Sequence, residues 1–152
     1  MGAVYFYHLT HSSLEDTLPM LLAKARGAGW RVAVRGRDLG QLSRLDARLW
    51  THPAESFFAH GLAGGDHDAA QPVLLTTAAE AANDPACVMA IGGAEISGEE
   101  VQALERVCIL FDGHDLEALE GARGQWRALT GAGCSAQYWS QEGGAWEKKA
   151  EA

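Results

Sequence analysis

Ala3-Val4-Tyr5-Phe6-Tyr7-His8-Leu9 and Arg31-Val32-Ala33-Val34-Arg35-Gly36, with the leucine-striped segment between them, decide the fold class. The first run is β-branched and aromatic and ends at a polar His-Ser-Ser turn, which marks a buried strand. The second is a short alternating strand. Between them Leu14, Leu18, Leu21, Leu22 and Ala25 recur at the spacing that paints one face of a helix. Ser12 and Glu15 have capping-box spacing at its start, and Gly27 and Gly29 end it. Pro19 falls inside the run and predicts a later start or a local bend.

Outward from this unit, Asp38 to Trp50 is a second amphipathic helix, with Leu42, Leu45 and Leu49 inside and Arg37, Arg44 and Arg48 on another face. Strand, helix, strand, helix at this spacing predicts right-handed crossovers and a largely parallel sheet. Gly61 to Gln71 is polar and glycine-rich and predicts a surface loop. Pro72–Thr76, Cys87–Ile91 and Val107–Phe111 are further apolar strand candidates, and Ser97 with Glu100 is a second capping box. Asp115 to Thr130 predicts a helix with Leu116, Leu119, Trp126 and Leu129 on or near one face, and Ser135–Trp139 a last strand. The expected organisation is one domain over residues 1–142 and a mobile tail over 143–152.

Composition limits function. The 152 residues carry 47% hydrophobic and 21% charged side chains, the profile of a folded globular chain. No apolar run reaches the length of a membrane span, and neither a signal peptide nor a myristoylation signal is read at Met1 to Phe6, so a cytoplasmic location is expected. Cys87, Cys108 and Cys134 are widely spaced without a C-x-x-C pair and read as buried free thiols. The net charge of −8 is polarised: residues 1–60 balance at +2 and residues 61–152 at −10. A uniformly basic nucleic-acid surface is thereby disfavoured, whereas a local basic pocket for a short acidic partner is not.

Catalytic signals are missing where an open α/β sheet would place them. The loop His8-Leu9-Thr10-His11-Ser12-Ser13 carries neither G-x-G-x-x-G nor a P-loop, and Gly92-Gly93 is too short a signal. His8 with His11, and His60, His67 and Asp68, lack the spacing of convergent metal ligands, so no metal and no cofactor is expected. Asp112, Asp115 and Glu117 are explained by the helix dipole. Two recognition features remain. Trp50, Phe57 and Phe58 gather around Pro53 in a stretch that suits either core or interface. Arg123 and Arg127 are i,i+4 neighbours beside Trp126, with Leu119 one turn earlier: either solvated arginines or a notch for a carboxylate next to an apolar slot.

At these residues the sequence resembles the chi subunit family of bacterial DNA polymerase III. The resemblance runs from Phe6-Tyr7-His8-Leu9 to the Arg123 helix. Its most specific stretch is Arg44-Leu45-Asp46, Leu49-Trp50 and Pro53-Ala54-Glu55-Ser56-Phe57, ending at His60. It implies a Rossmann-like three-layer α/β/α sandwich, single-domain, with a mostly parallel sheet and no nucleotide-binding activity. It also implies a non-catalytic accessory subunit that joins the psi subunit of the clamp-loader complex and binds the acidic C-terminal tail of single-stranded-DNA-binding protein. By resemblance, the psi-facing surface involves Trp50, Pro53, Phe57, Phe58, His60 and Leu62. The tail pocket centres on Arg123, with Trp126, Arg127, Leu119 and Phe111 about it. The family pattern has a basic residue where Leu119 stands, which implies weaker tail affinity or compensation by another arginine. Two rival readings stay open: a small α/β nucleotide- or phosphate-ester-binding enzyme using His8–Ser13, and a weak single-strand DNA binder using the Arg31–Arg48 face with Trp50.

Overall fold

In the computed structural model, which describes residues 2–50, 60–141 and 146–152, an eight-stranded sheet lies between two helical layers. In chain order the elements are β1 (Ala3–Leu9), α1 (Leu14–Gly27), β2 (Val32–Arg35), α2 (Leu39–Trp50), β3 (His60–Leu62), β4 (Val73–Thr76), β5 (Cys87–Ala90), α3 (Gly98–Ala103), β6 (Arg106–Asp112), α4 (Leu116–Gly131), β7 (Ser135–Ser140) and β8 (Glu147–Glu151). The sheet order is β3-β4-β2-β5-β6-β1-β7-β8, parallel throughout except for the antiparallel β7–β8 pair. This is the largely parallel sheet that the strand–helix alternation predicts, in the Rossmann-like α/β sandwich that the resemblance implies.

The period-two side-chain alternation of strands divides the sheet between two cores. Val32, Val34, Cys87, Met89, Cys108 and Leu110 face Leu18, Leu22, Leu42 and Leu45 of α1 and α2. Val4, Phe6, Ala33, Val88, Ile109 and Phe111 face Val101, Ala122 and Leu129 of α3 and α4. The path from β1 through α1 and α2 moves toward the β3 edge, and α3 and α4 carry it back on the other face. Right-handed crossovers require these opposite layers. Strand β1, leading to α1, is therefore adjacent to β6, leading to α4, and this reversal opens a crevice at the carboxyl ends of the strands.

Several local expectations are corrected. The cap of α1 is Ser13, whose Oγ accepts from the Asp16 N–H, while Ser12 Oγ accepts from Gln141 Nε2. Pro19 is buried within α1 without displacing its start. Strand β2 forms as expected and is buried on both faces, Arg35 included. Its guanidinium donates to the Ala79 and Glu95 carbonyls and pairs with the Glu100 carboxylate. Ser97 and Glu100 do form the expected capping box, which holds that carboxylate toward Arg35. Gly61 and Leu62, expected at the start of a surface loop, belong to the edge strand β3. Residues 147–151 are not a free tail but pair with β7. The three cysteines are free and buried; the hydrogen bond with Cys108, together with burial, pushes the Cys87 thiol up, so it stays protonated and unreactive.

Candidate partner-binding site

Helix α4 begins at Asp115, whose carboxylate accepts from the Glu117 and Ala118 N–H groups and satisfies two of the donors a helix start leaves open. Its inward stripe, Ala118, Leu119, Ala122, Trp126 and Leu129, packs on β6 and β7. Trp126 is half-buried, its ring centroid 5.4 Å from Phe6 and 6.0 Å from Tyr138, both edge-on. Tyr138 lies nearly parallel to Phe6 at 6.5 Å, and its hydroxyl is 3.0 Å from His8 Nδ1. His8 in turn stacks on Phe111 at 5.1 Å. Four rings and one imidazole, drawn from β1, β6, β7 and α4, thus form a continuous wall that fixes the Trp126 indole.

Arg123 and Arg127 stand one helical turn apart, both exposed, on the Leu119–Trp126 side of α4. Among the described residues neither is paired with an acid. The opposite side of the stripe is engaged with the loop after β5: Gln125 accepts from the Ile96 N–H and lies 3.4 Å from the Ala94 carbonyl. The arginines therefore flank an aromatic wall on the β7 side, where two guanidinium groups can grip an anionic group while Trp126 and Leu119 offer apolar contact.

A model of the family DNA polymerase III chi subunit, HolC, matches residues 1–137. The chain belongs to that family. Among curated chi proteins, DNA polymerase III subunit chi of Escherichia coli (strain K12) is 39% identical over 62 residues, covering 41% of this chain and 42% of the relative. The probable DNA polymerase III subunit chi of Rickettsia prowazekii (strain Madrid E) is 22% identical over 111 residues, 70% of this chain and 67% of the relative. The first match thus spans about two-fifths of the relative's length.

The residues that chi resemblance assigns to the tail pocket do not all play the same part. Arg123, Trp126, Arg127 and Leu119 come together on one helix, as their spacing predicts. Phe111 is buried in β6 and supports the wall from behind. Phe6, His8 and Tyr138 were missed because each joins the wall through strand pairing across the chain, β1 with β7, which helical periodicity does not report. The alternation of Tyr138 with its neighbours in Ser135–Trp139 was the available signal.

The psi-facing set is also redistributed. Trp50 is 56% exposed at the end of α2, its ring 4.4 Å from His60. His60 is buried, its Nε2 3.3 Å from the Asp46 carbonyl and 3.4 Å from the Asp46 carboxylate, so it supports Trp50 and presents no surface of its own. Leu62 packs against the α1–α2 core. Pro53, Phe57 and Phe58 lie outside the described residues.

The rival sites fare differently. At the carboxyl ends of the strands lies a cleft of about 940 Å³, bounded by the loops after β1, β5 and β6. The consecutive left-handed glycines Gly92 and Gly93 (φ 60° and 81°) turn its wall tightly against Gln41. Among the described residues, Glu15, Glu95, Asp112, Asp115 and Glu117 line it against one cation, Arg37, a field that disfavours a phosphate. Part of the polar chemistry of its first loop is spent internally: the His11 and Ser12 N–H groups donate to Gln141 Oε1, and Ser13 caps α1. The buried Thr10 hydroxyl, by contrast, has no hydrogen-bond partner among the described residues. Among the described residues no three His, Cys, Asp or Glu side chains are placed to hold a metal ion. The Arg31–Arg48 stretch does not form one basic face. Arg31 donates to the Asn83 carbonyl, Arg35 is interior, and Arg48 pairs with Asp16 at 2.9 Å. No described helix is long and apolar enough to cross a membrane.

Proposed function

We propose that this chi-family chain is a non-catalytic accessory subunit of the bacterial DNA polymerase III holoenzyme, acting in the cytoplasm at the replication fork. On this reading α4 receives the acidic C-terminal tail of single-stranded-DNA-binding protein, and the Trp50 end of α2 receives the psi subunit of the clamp-loader complex or its equivalent. The observation that carries it is the pair of exposed, acid-free guanidinium groups of Arg123 and Arg127 beside a Trp126 ring held by Phe6 and Tyr138. A protein with net charge −8 attracts an anionic peptide only where its cations are local and unneutralised, and this edge of α4 meets that condition. Helices α2 and α4 lie on opposite faces of the sheet, so the two partners can be held at once without collision. That is the geometry a linker needs.

Calorimetric titration of an acidic peptide ending in an apolar residue tests the assignment. Arg123→Ala is expected to weaken binding roughly tenfold or more, the scale of a lost charge-assisted hydrogen bond. Raised salt is expected to weaken the wild type further, because the contact is at the surface. Trp50→Ala, on the other face, leaves tail binding unchanged. Equal affinities for wild type and Arg123→Ala would remove the proposed site.

A further inference from the structure

Among the described residues, one end of one sheet face is left without a helix. Helices α1 and α2 cover β4, β2 and β6, but on the same side the β1–β7–β8 end carries a cluster of half-buried aromatic side chains. Tyr5 and Tyr7 project from β1, and strand register sets Gln137 and Trp139 of β7 directly beside them. Trp146 meets Tyr7 edge-on at 5.3 Å. The Arg106 guanidinium lies 3.9 Å over the Tyr5 ring and 5.4 Å from Trp30. Lys148 of β8 is the register partner of Trp139.

Trp139 is the informative residue. Its indole N–H donates to Gln137 Oε1 at 3.1 Å, which holds the ring in place, yet among the described residues no ring or cation covers it. A large aromatic side chain fixed by a hydrogen bond and left half in water is built to be covered by something planar. Lys148, the cross-strand neighbour of Trp139, is in a loose surface pair with Glu151 at 3.4 Å that is readily exchanged. Glu151 also accepts from Gln137 at 3.1 Å, and Arg106 stands further along the same face over Tyr5. Rings with polar edges, interleaved with cations on a flat sheet, match the chemistry of unstacked bases joined by phosphates. They match a polyproline segment less well, since it gains nothing from flanking cations.

We propose that this face binds a short stretch of single-stranded DNA, with one base stacked on Trp139 and the adjoining phosphates met by Lys148 and Arg106. The surface differs from the Arg31–Arg48 stretch, whose arginines are dispersed, and lies across the sheet from α4. The inference therefore stands independently of tail binding. It gives the subunit weak, sequence-tolerant contact with the strand on which its partners work.

The test is fluorescence anisotropy of a labelled oligothymidylate titrated with the full chain at low salt. Binding is expected with a dissociation constant on the order of 100 µM and a slope of log K against log salt near −1.4, as for two phosphates of a single strand. Trp139→Ala is expected to weaken it roughly tenfold, Lys148→Glu at least as much, and Trp139→Phe only slightly, because a ring is retained. Arg123→Ala leaves it unchanged. The proposal is overturned by no binding at low salt, or by equal binding to Trp139→Ala and Lys148→Glu while circular dichroism shows both folded. It is also overturned by loss of binding in Arg44→Ala instead, or by a polyproline peptide occupying this face where the oligomer does not.

Discussion

Glu100→Ala is expected to lower the unfolding free energy by about 3 kcal/mol, measured by urea denaturation at neutral pH. The substitution leaves the Arg35 guanidinium interior, still donating to the Ala79 and Glu95 carbonyls but without its counter-charge. An uncompensated buried charge is what makes breaking such a pair far costlier than its absence from the start. It also removes half of the capping box on α3, a further contribution of about 1 kcal/mol at most. Replacing the pair together, Arg35→Met with Glu100→Leu, is expected to recover most of the loss. The pair also sets a pH dependence. Burial raises the Glu100 pKa, but hydrogen bonds from Arg35 and Ser97 and the Arg35 charge outweigh it, and the carboxyl is held below its ordinary value. Its stabilisation is therefore complete above the ordinary carboxylate range and is lost as pH falls through the depressed folded value. Wild type is expected to lose more stability on acidification than the double variant.

Phe6→Ala is expected to be as damaging, about 3–5 kcal/mol by the same denaturation measurement, and to weaken tail binding as well. Phe6 is fully buried and touches both Trp126 and Tyr138, so truncation opens a cavity directly behind the wall that fixes the indole. Phe6→Leu separates the two effects. It keeps most of the volume and the fold, at a cost of about 1 kcal/mol, while removing the edge-on ring contact that orients Trp126. Peptide affinity then falls although both arginines are intact. If Phe6→Leu bound the peptide like wild type, the wall would have no part in recognition.

The elements that could be read from sequence alone were those whose periodicity is local and whose chemistry is uniform. The leucine stripe of α1, the Leu42–Leu45–Leu49 face of α2 and the apolar runs of β4, β5 and β6 needed only their own residues. Strand β2 was legible as a strand, but the burial of Arg35 was not, because the acid that neutralises it lies 65 residues away. Strands β3 and β8, His-Gly-Leu and Glu-Lys-Lys-Ala-Glu, carry almost no strand propensity; pairing with β4 and β7 forms them. Charged residues on β8 also suit its position, since an edge strand rich in lysine and glutamate resists pairing with other chains. For the site the same division holds. The Arg123–Trp126–Arg127 grouping is written in helical spacing, whereas the wall behind it depends on contacts such as Tyr138 to His8, 130 residues apart.

On the proposed function, partner sites on opposite faces of one sheet, with a third aromatic surface at its β8 end, would let the fold act as a spacer. The cleft at the carboxyl ends of the strands is lined by acids, and the backbone of its first loop is tied to Gln141. If α4 receives the tail as proposed, affinity there has to come from a few charge-assisted contacts, because Leu119 adds an apolar surface where a third cation would have strengthened the grip. Modest, salt-sensitive binding suits a connection that must be released as well as made.

The most direct measurement is a proton–nitrogen correlation spectrum of the labelled protein recorded as the acidic tail peptide is added. The account predicts shifts concentrated at Leu119, Arg123, Trp126, Arg127 and Tyr138, with the Trp126 indole N–H moving most and the Trp50 indole N–H staying still. Shifts clustered instead around Trp50, or around the acidic cleft at Thr10 and Asp112 with α4 unmoved, would contradict it.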